Sequence, residues 1–251
     1  MRITILLVLL YFLNFSSCKQ NQLHLNKIEG KRIEINNTIT ENANIEAYIK
    51  PYRKHIQNDL DSIIAYASNT YTKSDGDFNT ALGNFMADAV YQEANPIFKS
   101  RTGKEIDMVL LNHGGIRSIL SKGNISKRTA FELMPFENSI VVVALKKPEI
   151  DSLVLYLSKS KKAHPISQLK LTLNKKFEVI DAKIKGKNIT NKTYYVATND
   201  YLYNGGDNMR FFKTNDSLYV LNYKIRNALI DNFIKNDTIN PIRDDRFTQI
   251  N

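Results

Sequence analysis

Four short clusters hold most of the side chains able to bind a small molecule: Asn79-Thr80-Ala81-Leu82-Gly83-Asn84, Asn112 to Arg117, Met134-Pro135-Phe136-Glu137-Asn138 and Asn204-Gly205-Gly206-Asp207. Taken singly, each has an architectural reading, because Asn-Gly pairs make turns, Pro-Phe fills a corner and Gly-Gly closes a loop. Taken together, they are complementary to a nucleotide. Arg117 presents a planar fork for phosphate or ribose oxygens, beside amides that Gly114 and Gly115 open to close approach. Phe136 and Tyr201 offer ring faces to a base, a contact worth roughly 1–3 kcal/mol that tolerates different bases. Asp207 can accept both ribose hydroxyl protons, and Asn112 and Asn138 carry the donor and acceptor pairs that read base edges.

Other chemistries lack their motifs. His24, His55, His113 and His164 fall in no HxH or HExxH spacing, and neither a Gly-x-Ser-x-Gly elbow nor a Walker loop occurs. Metal-assisted hydrolysis and nucleophilic or P-loop mechanisms are therefore not expected of this chain alone, and no cofactor is expected in it. Paired carboxylates carry no fixed spacing and stay open.

Composition bounds the class. The 251 residues are 43% apolar, with 13 Tyr and 12 Phe, which suits one globular domain and excludes disorder, collagen-like repetition and a multi-span membrane protein. The single Cys excludes an internal disulfide framework. Against 25 acidic residues stand 35 Lys and Arg, a formal charge of +10. That excess attracts anions without saying which, and solvating lysines explain it equally well. Stacking aromatics without a clustered basic stripe suit a mononucleotide, not a nucleic-acid polymer.

The chain opens Met1-Arg2, continues with an apolar stretch from Ile3 to Phe15 broken only by Thr4 and Asn14, and reaches Ser16-Ser17-Cys18. A positive tip, a short apolar core and small residues describe a secretory signal over 1–17, shorter than the roughly 20 residues a spanning helix needs. Cys18 stands where a bacterial lipoprotein is acylated, so the expected location is export with a lipid anchor in a bacterial membrane, on the periplasmic side or at the cell surface. A stray thiol near the cut is the competing reading.

These residues need elements to position them. Residues 18–44 are polar and Asn-rich and read as a tether, with a weak alternation from Leu25 to Ile39 for a short strand pair. Ile45, Tyr48, Ile49, Tyr52, Ile56, Leu60 and Ile63 recur at steps of three and four, predicting a helix with one buried face and a bend at Pro51. A strand follows at Ile63–Ala67. Asn79 is expected to cap a helix running to Glu93 that buries Leu82, Phe85, Met86, Ala89 and Val90. Strands are predicted at Met108–Leu111, Ile140–Leu145, Ile166–Leu173, Phe177–Ile184 and Tyr194–Thr198, with helices at Thr129–Leu133, Pro148–Leu157 and Leu221–Ile234. Helices and strands interleave without a βαβ rhythm, so the fold class is α+β, one mixed α/β domain over residues 45–251.

The segments LGNFMADA (Leu82 to Ala89), NHGGIR, MPFEN and NGGDN (Asn204 to Asn208), in this order, resemble the C-terminal, substrate-recognition domain of the 5'-nucleotidase and UDP-sugar hydrolase family. The likeness runs from about Ile45 to Phe247, and Asp245-Arg246-Phe247 resembles the family's close. The resemblance implies a domain that holds a nucleoside between two rings, here Phe136 and Tyr201, with Asp207 on the ribose and Asn112, Arg117 and Asn138 on base or sugar. It also implies a two-metal phosphoesterase domain that does the hydrolysis, for which 251 residues leave no room. Two departures stand out: Gly76 replaces a family arginine and Ser167-Gln168 replaces a Ser-Gly. The first removes a charge-assisted bond, with Lys73 the nearest cation to substitute. The second is expected to crowd the pocket.

Three readings follow: a lipid-anchored recognition subunit whose metal-bearing metallophosphoesterase is a separate chain, a stand-alone envelope protein binding nucleosides or nucleotides, and an interaction protein that keeps only the fold.

Overall fold

The computed structural model describes residues 24–250; the expected signal segment and Cys18 lie outside them. The chain divides after Tyr48 into two units. Between residues 24 and 40 there is only a turn at 36–39, so the expected strand pair does not form. Leu25, Ile28, Ile33 and Ile35 are exposed. An isolated two-stranded pair without an apolar face to cover it is marginal in water. Asn42 Oδ1 accepts from the Asn44 and Ile45 amides and starts helix α1 (Ala43–Leu60), which continues through Pro51. No residue of α1 is buried, contrary to the expected buried face. A 3.6-residue period dictates a stripe but not what covers it.

From Ile49 onward the elements after α1 are β1 (Ile63–Ala67), α2 (Ala81–Thr102), β2 (Met108–Leu110), β3 (Gly123–Ser126), α3 (Lys127–Leu133), β4 (Ser139–Leu145) and α4 (Lys147–Ser160). There follow β5 (Ile166–Ser167), β6 (Leu169–Leu173), β7 (Val179–Ile184), β8 (Lys187–Asn188), β9 (Tyr194–Asn199), α5 (Asp200–Tyr203), β10 (Ser217–Lys224), α6 (Ile225–Asn236), β11 (Thr238–Ile239) and β12 (Phe247–Gln249). The architecture is mixed α+β. A central sheet has the order β10-β4-β9-β2-β5, flanked by sheets β11-β1-β3 and β12-β6-β7-β8.

The central sheet is apolar on both faces, which is why β4 reads as an unbroken run, IVVVAL, instead of alternating. Ile140 and Val142 of β4, with Val109 of β2, face one core beside Phe85 of α2 and Phe233 of α6. Val141 and Val143, with Met108 and Leu110, face a second core beside Leu153 and Leu157 of α4 and Leu171 of β6. The Phe85 and Phe233 rings stack at 5.1 Å.

Several boundaries differ from the sequence expectation. Thr80, not Asn79, caps α2, its hydroxyl accepting the Gly83 amide at 3.0 Å. Asn79 is instead buried and donates through Nδ2 to the Asp244 and Phe247 carbonyls. The helix passes Glu93 and Pro96 and stops at Gly103, whose φ of 72° closes it. The predicted strand 166–173 breaks at Gln168 (φ 63°), where the chain leaves the central sheet for the next. Leu221–Lys224 is strand rather than helix, because SLYVLNYK pairs with β4 and the helix starts only at Ile225. Phe177 (φ 63°) sits in the turn before β7.

The chain's close is tied to α2. Arg246 donates to both carboxylate oxygens of Asp88 at 2.9 Å, to Asp244 at 2.8–3.1 Å and to the Ile166 carbonyl at 2.8 Å. Burial pushes the Asp244 carboxyl up, but the bonds from Arg246 outweigh it and hold it below its ordinary value.

Candidate functional site

Topology brings three of the four clusters to one end of the central sheet. β2 runs parallel to β9, so the loop after β2 and the helix after β9 emerge together, and β4 runs antiparallel to β9, so the segment before β4 arrives at the same edge. There a cleft of about 320 Å³ is lined by Asn112, Gly114, Gly115, Arg117, Met134, Phe136, Asn138, Tyr201 and Asp207. All eight residues given a ligand contact from the sequence, Gly115 included, are in it. That volume lies within the range of small-molecule sites.

The amides are oriented by bonds below the cleft. Asn199, buried at the end of β9, accepts the Leu202 amide through Oδ1 and donates to Asn112 Oδ1 at 3.4 Å. The Nδ2 of Asn112 is thereby left for a ligand. A Cβ on Gly115 would stand 3.0 Å from Asn112 Oδ1, so glycine lets this turn close over the side chain. Asn138 donates to Asp200 at 2.9 Å and Asp200 also accepts the Ser139 amide at 3.2 Å, which leaves Asn138 Oδ1 as the free acceptor. One amide thus offers donors and the other an acceptor.

Arg117 is exposed, with its guanidinium centre 5.7 Å from the Phe136 ring and one bond to the Gly114 carbonyl at 3.3 Å. It has no carboxylate partner among the described residues. Its charge is available to an anionic ligand.

Asp207 adopts φ 50°, ψ 24°, a left-handed conformation that costs an ordinary residue about 1–2 kcal/mol. Tyr156 on α4 holds it there, donating its hydroxyl to the Asp207 carbonyl at 2.8 Å. The Tyr201 hydroxyl donates to Asp207 Oδ1 at 3.0 Å, a bond that raises the Tyr201 pKa and leaves the second oxygen as an acceptor. Tyr156, Asp200 and Asn199 carry no sequence signal, since each acts through a partner more than thirty residues away or through its own backbone cap.

Gly206 is a second position where glycine is required, because a Cβ there would stand 2.4 Å from the Tyr201 ring. Gly206→Ala is expected to rotate the half-exposed Tyr201 out of place and cut the affinity of any ligand that stacks on it by roughly the 1–3 kcal/mol of one stacking contact. The thermal midpoint should move only a few degrees. Calorimetric titration beside a melting curve checks both, and unchanged affinity would disprove the role of Gly206.

The two departures have structural answers. A side chain at Gly76 would stand 2.3 Å from the Asn79 carbonyl and 2.8 Å from Arg243 Cδ, so this backbone admits only glycine there. Lys73 reaches the loop after β2, its Nζ donating to the Ile116 carbonyl at 2.9 Å. Gln168 lies away from the cleft lining, so the expected crowding does not occur; glycine suits that position for its positive φ. The Asn79–Asn84 cluster is likewise architectural, bonding the 242–247 segment. No group of three or more His, Cys, Asp or Glu among the described residues is placed to hold a metal ion.

The chain is thus a mixed α+β domain with an aromatic, amide-lined cleft at one end of its central sheet. Residues 62–214 match the family described as "5'-nucleotidase, C-terminal domain", and the chain belongs to that family. It is 28% identical over 201 residues to the cell wall protein Lmo0130 of Listeria monocytogenes, covering 70% of this chain and 25% of that protein. It is 34% identical over 148 residues to the trifunctional nucleotide phosphoesterase protein YfkN of Bacillus subtilis, covering 53% of this chain and 10% of that one. The fold is similar to that of a 5'-nucleotidase precursor from Thermus thermophilus (TM-score 0.68, 21% identity), covering 82% of this chain and 42% of that one. NAD nucleotidase of Haemophilus influenzae is similar too (TM-score 0.63, 15% identity), with 84% and 42% covered. The chain thus spans a quarter or less of these curated relatives.

Proposed function

We propose that this chain is the nucleotide-recognition part of a 5'-nucleotidase whose two-metal phosphoesterase is carried on a separate chain. The observation that carries this reading is the convergence of Asn112, Gly114, Arg117, Phe136, Asn138, Tyr201 and Asp207 on one cleft of about 320 Å³ in a chain of this family. Phe136 and Tyr201 take the base, Asp207 the ribose, Asn112 and Asn138 the base edge and Arg117 the phosphate. On this reading the divalent ions and the hydrolytic step belong to the partner chain.

Export and acylation at Cys18 place the domain at the bacterial envelope. The name of the cell wall relative supports export, and the leader supports the lipid anchor.

Mixing the full chain with a co-purifying metallophosphoesterase is expected to accelerate AMP hydrolysis over the metallophosphoesterase alone. No acceleration would refute the split enzyme. The cleft is formed entirely by this chain's residues, which favours a second reading, a stand-alone envelope binding protein. Calorimetry with AMP, adenosine and UDP-glucose tests that reading, and no heat with any of the three would remove both.

A further inference from the structure

Phe136 is one of the two rings proposed to stack on a base, yet regular structure does not hold it. Residues 134–138 lie between α3 and β4 in neither helix nor strand, and Phe136 is exposed, so burial does not fix its ring either. What holds this segment is the junction between β10 and α6, where three consecutive residues grip three consecutive residues of the loop. The Ile225 amide donates to the Asn138 carbonyl at 3.1 Å. Lys224 Nζ and Arg226 Nη2 each donate to one oxygen of the Glu137 carboxylate. Arg226 Nη1 donates to the Phe136 carbonyl at 3.5 Å, the long end of a hydrogen bond. None of the three junction residues lines the cleft, so each acts on it through the loop.

Arg226 is the centre of this grip. It is only 5% exposed, and its guanidinium lies 4.0 Å from the centroid of the Phe131 ring on α3. Its Nε is buried without a hydrogen-bond partner, whereas the Glu137 side chain is 63% exposed. An ion pair with one member largely in water adds little net stability, and an unpaired buried N–H subtracts from it. The gain is geometric instead. Pro135 fixes its own φ on one side of Phe136, and the bonds to residues 136, 137 and 138 restrain the backbone on the other. Together they set the direction in which the Phe136 ring projects. The bonds from Arg226 and Lys224 hold the Glu137 carboxyl well below its ordinary value, so the pair stays ionised.

We propose that Arg226, acting with Glu137 and Lys224, is a positioning residue that clamps the loop and holds the Phe136 ring in its stacking orientation before a ligand arrives. A ring held in advance has less freedom to lose on binding. The effect on a nucleotide rests on the function proposed above; the restraint on the ring does not.

The chain has no tryptophan, so Phe136→Trp gives it a single one whose emission reports on this position alone. Time-resolved fluorescence anisotropy of the full chain is compared in that variant by itself and with Arg226→Met or Glu137→Gln added. The indole is expected to be restrained in the first, and each added change is expected roughly to double the subnanosecond loss of anisotropy that side-chain motion produces. Glu137→Gln keeps Arg226 in place and alters an exposed side chain, so it decides the matter if Arg226→Met does not fold. A freely mobile indole in Phe136→Trp, or a fast loss unchanged by Glu137→Gln, would overturn the clamp.

Calorimetry with AMP reads the consequence for binding. Glu137→Gln is expected to weaken AMP about three- to tenfold when Phe136 is present, less than loss of the whole stack, and to have no effect in the Phe136→Ala background. An equal loss in both backgrounds would assign the junction to the fold at large and overturn the proposal. If AMP gives no heat with the unaltered chain, the nucleotide reading falls and the anisotropy alone decides the clamp.

Discussion

Replacing Phe136 with alanine is expected to weaken AMP binding roughly five- to 150-fold, the equivalent of about 1–3 kcal/mol for one base–aromatic stack. The size of the effect comes from the position of the ring. Phe136 sits at the cleft, 42% exposed, with the Arg117 guanidinium 5.7 Å from its centroid. Removing it therefore opens a stacking face and loosens the charge that would meet the phosphate, without hollowing a core. Stability should change little, since exposed side chains away from special features usually matter by less than about 0.5 kcal/mol. Phe136→Tyr should retain most of the affinity because the ring face persists. The measurement is a calorimetric titration of wild type and both variants; equal affinity for all three would remove Phe136 from the site.

Replacing Arg246 with methionine is expected to cost about 3 kcal/mol of stability, at the low end for breaking a buried ion pair because Asp88 and Asp244 keep partial access to water. For a domain of this size that is a fall in thermal midpoint of roughly 6–12 °C. The guanidinium joins α2 to the chain's close and to β5 through Ile166, so its loss strands two carboxylates together. The pH dependence has a definite sign. Asp244 is held below its ordinary value, so its contribution is fully present above about pH 4 and is lost as pH falls through its folded value. In the methionine variant the guanidinium bonds are gone, burial and repulsion from Asp88 raise Asp244 against only its backbone bonds, and protonation relieves the repulsion. The gap between wild type and variant should therefore narrow on acidification below about pH 4. A gap that stays constant across melting curves from pH 7 to pH 3 would contradict this account of the cluster.

Some of the architecture was legible because local pattern and burial coincide. IVVVAL reads as a strand from its β-branched run, and LGNFMADAV places Leu82, Phe85, Met86, Ala89 and Val90 on one buried side of α2. Elsewhere local signals competed. Asn79 and Thr80 are both good caps, and the choice fell to Thr80 because Asn79 is needed by the Asp244 and Phe247 carbonyls more than 160 residues away. Leu221 to Lys224 fits a helical stripe as well as a strand, and pairing with β4 decided it. The stripe on α1 was legible as a helix but not as a buried one.

The sequence by itself determined the chemistry on offer: the loop residue types, their order along the chain, the family they mark and the α+β class. Those are properties of side chains and of local periodicity, which act over a few residues. Only the tertiary structure decided that these loops meet, because the parallel pairing of β2 with β9 and the antiparallel pairing of β4 are long-range hydrogen-bond choices. The same holds for His164, whose Nδ1 accepts an amide 51 residues earlier while its Nε2 is buried without a hydrogen-bond partner. An unpaired buried donor exists only once the chain has folded around it.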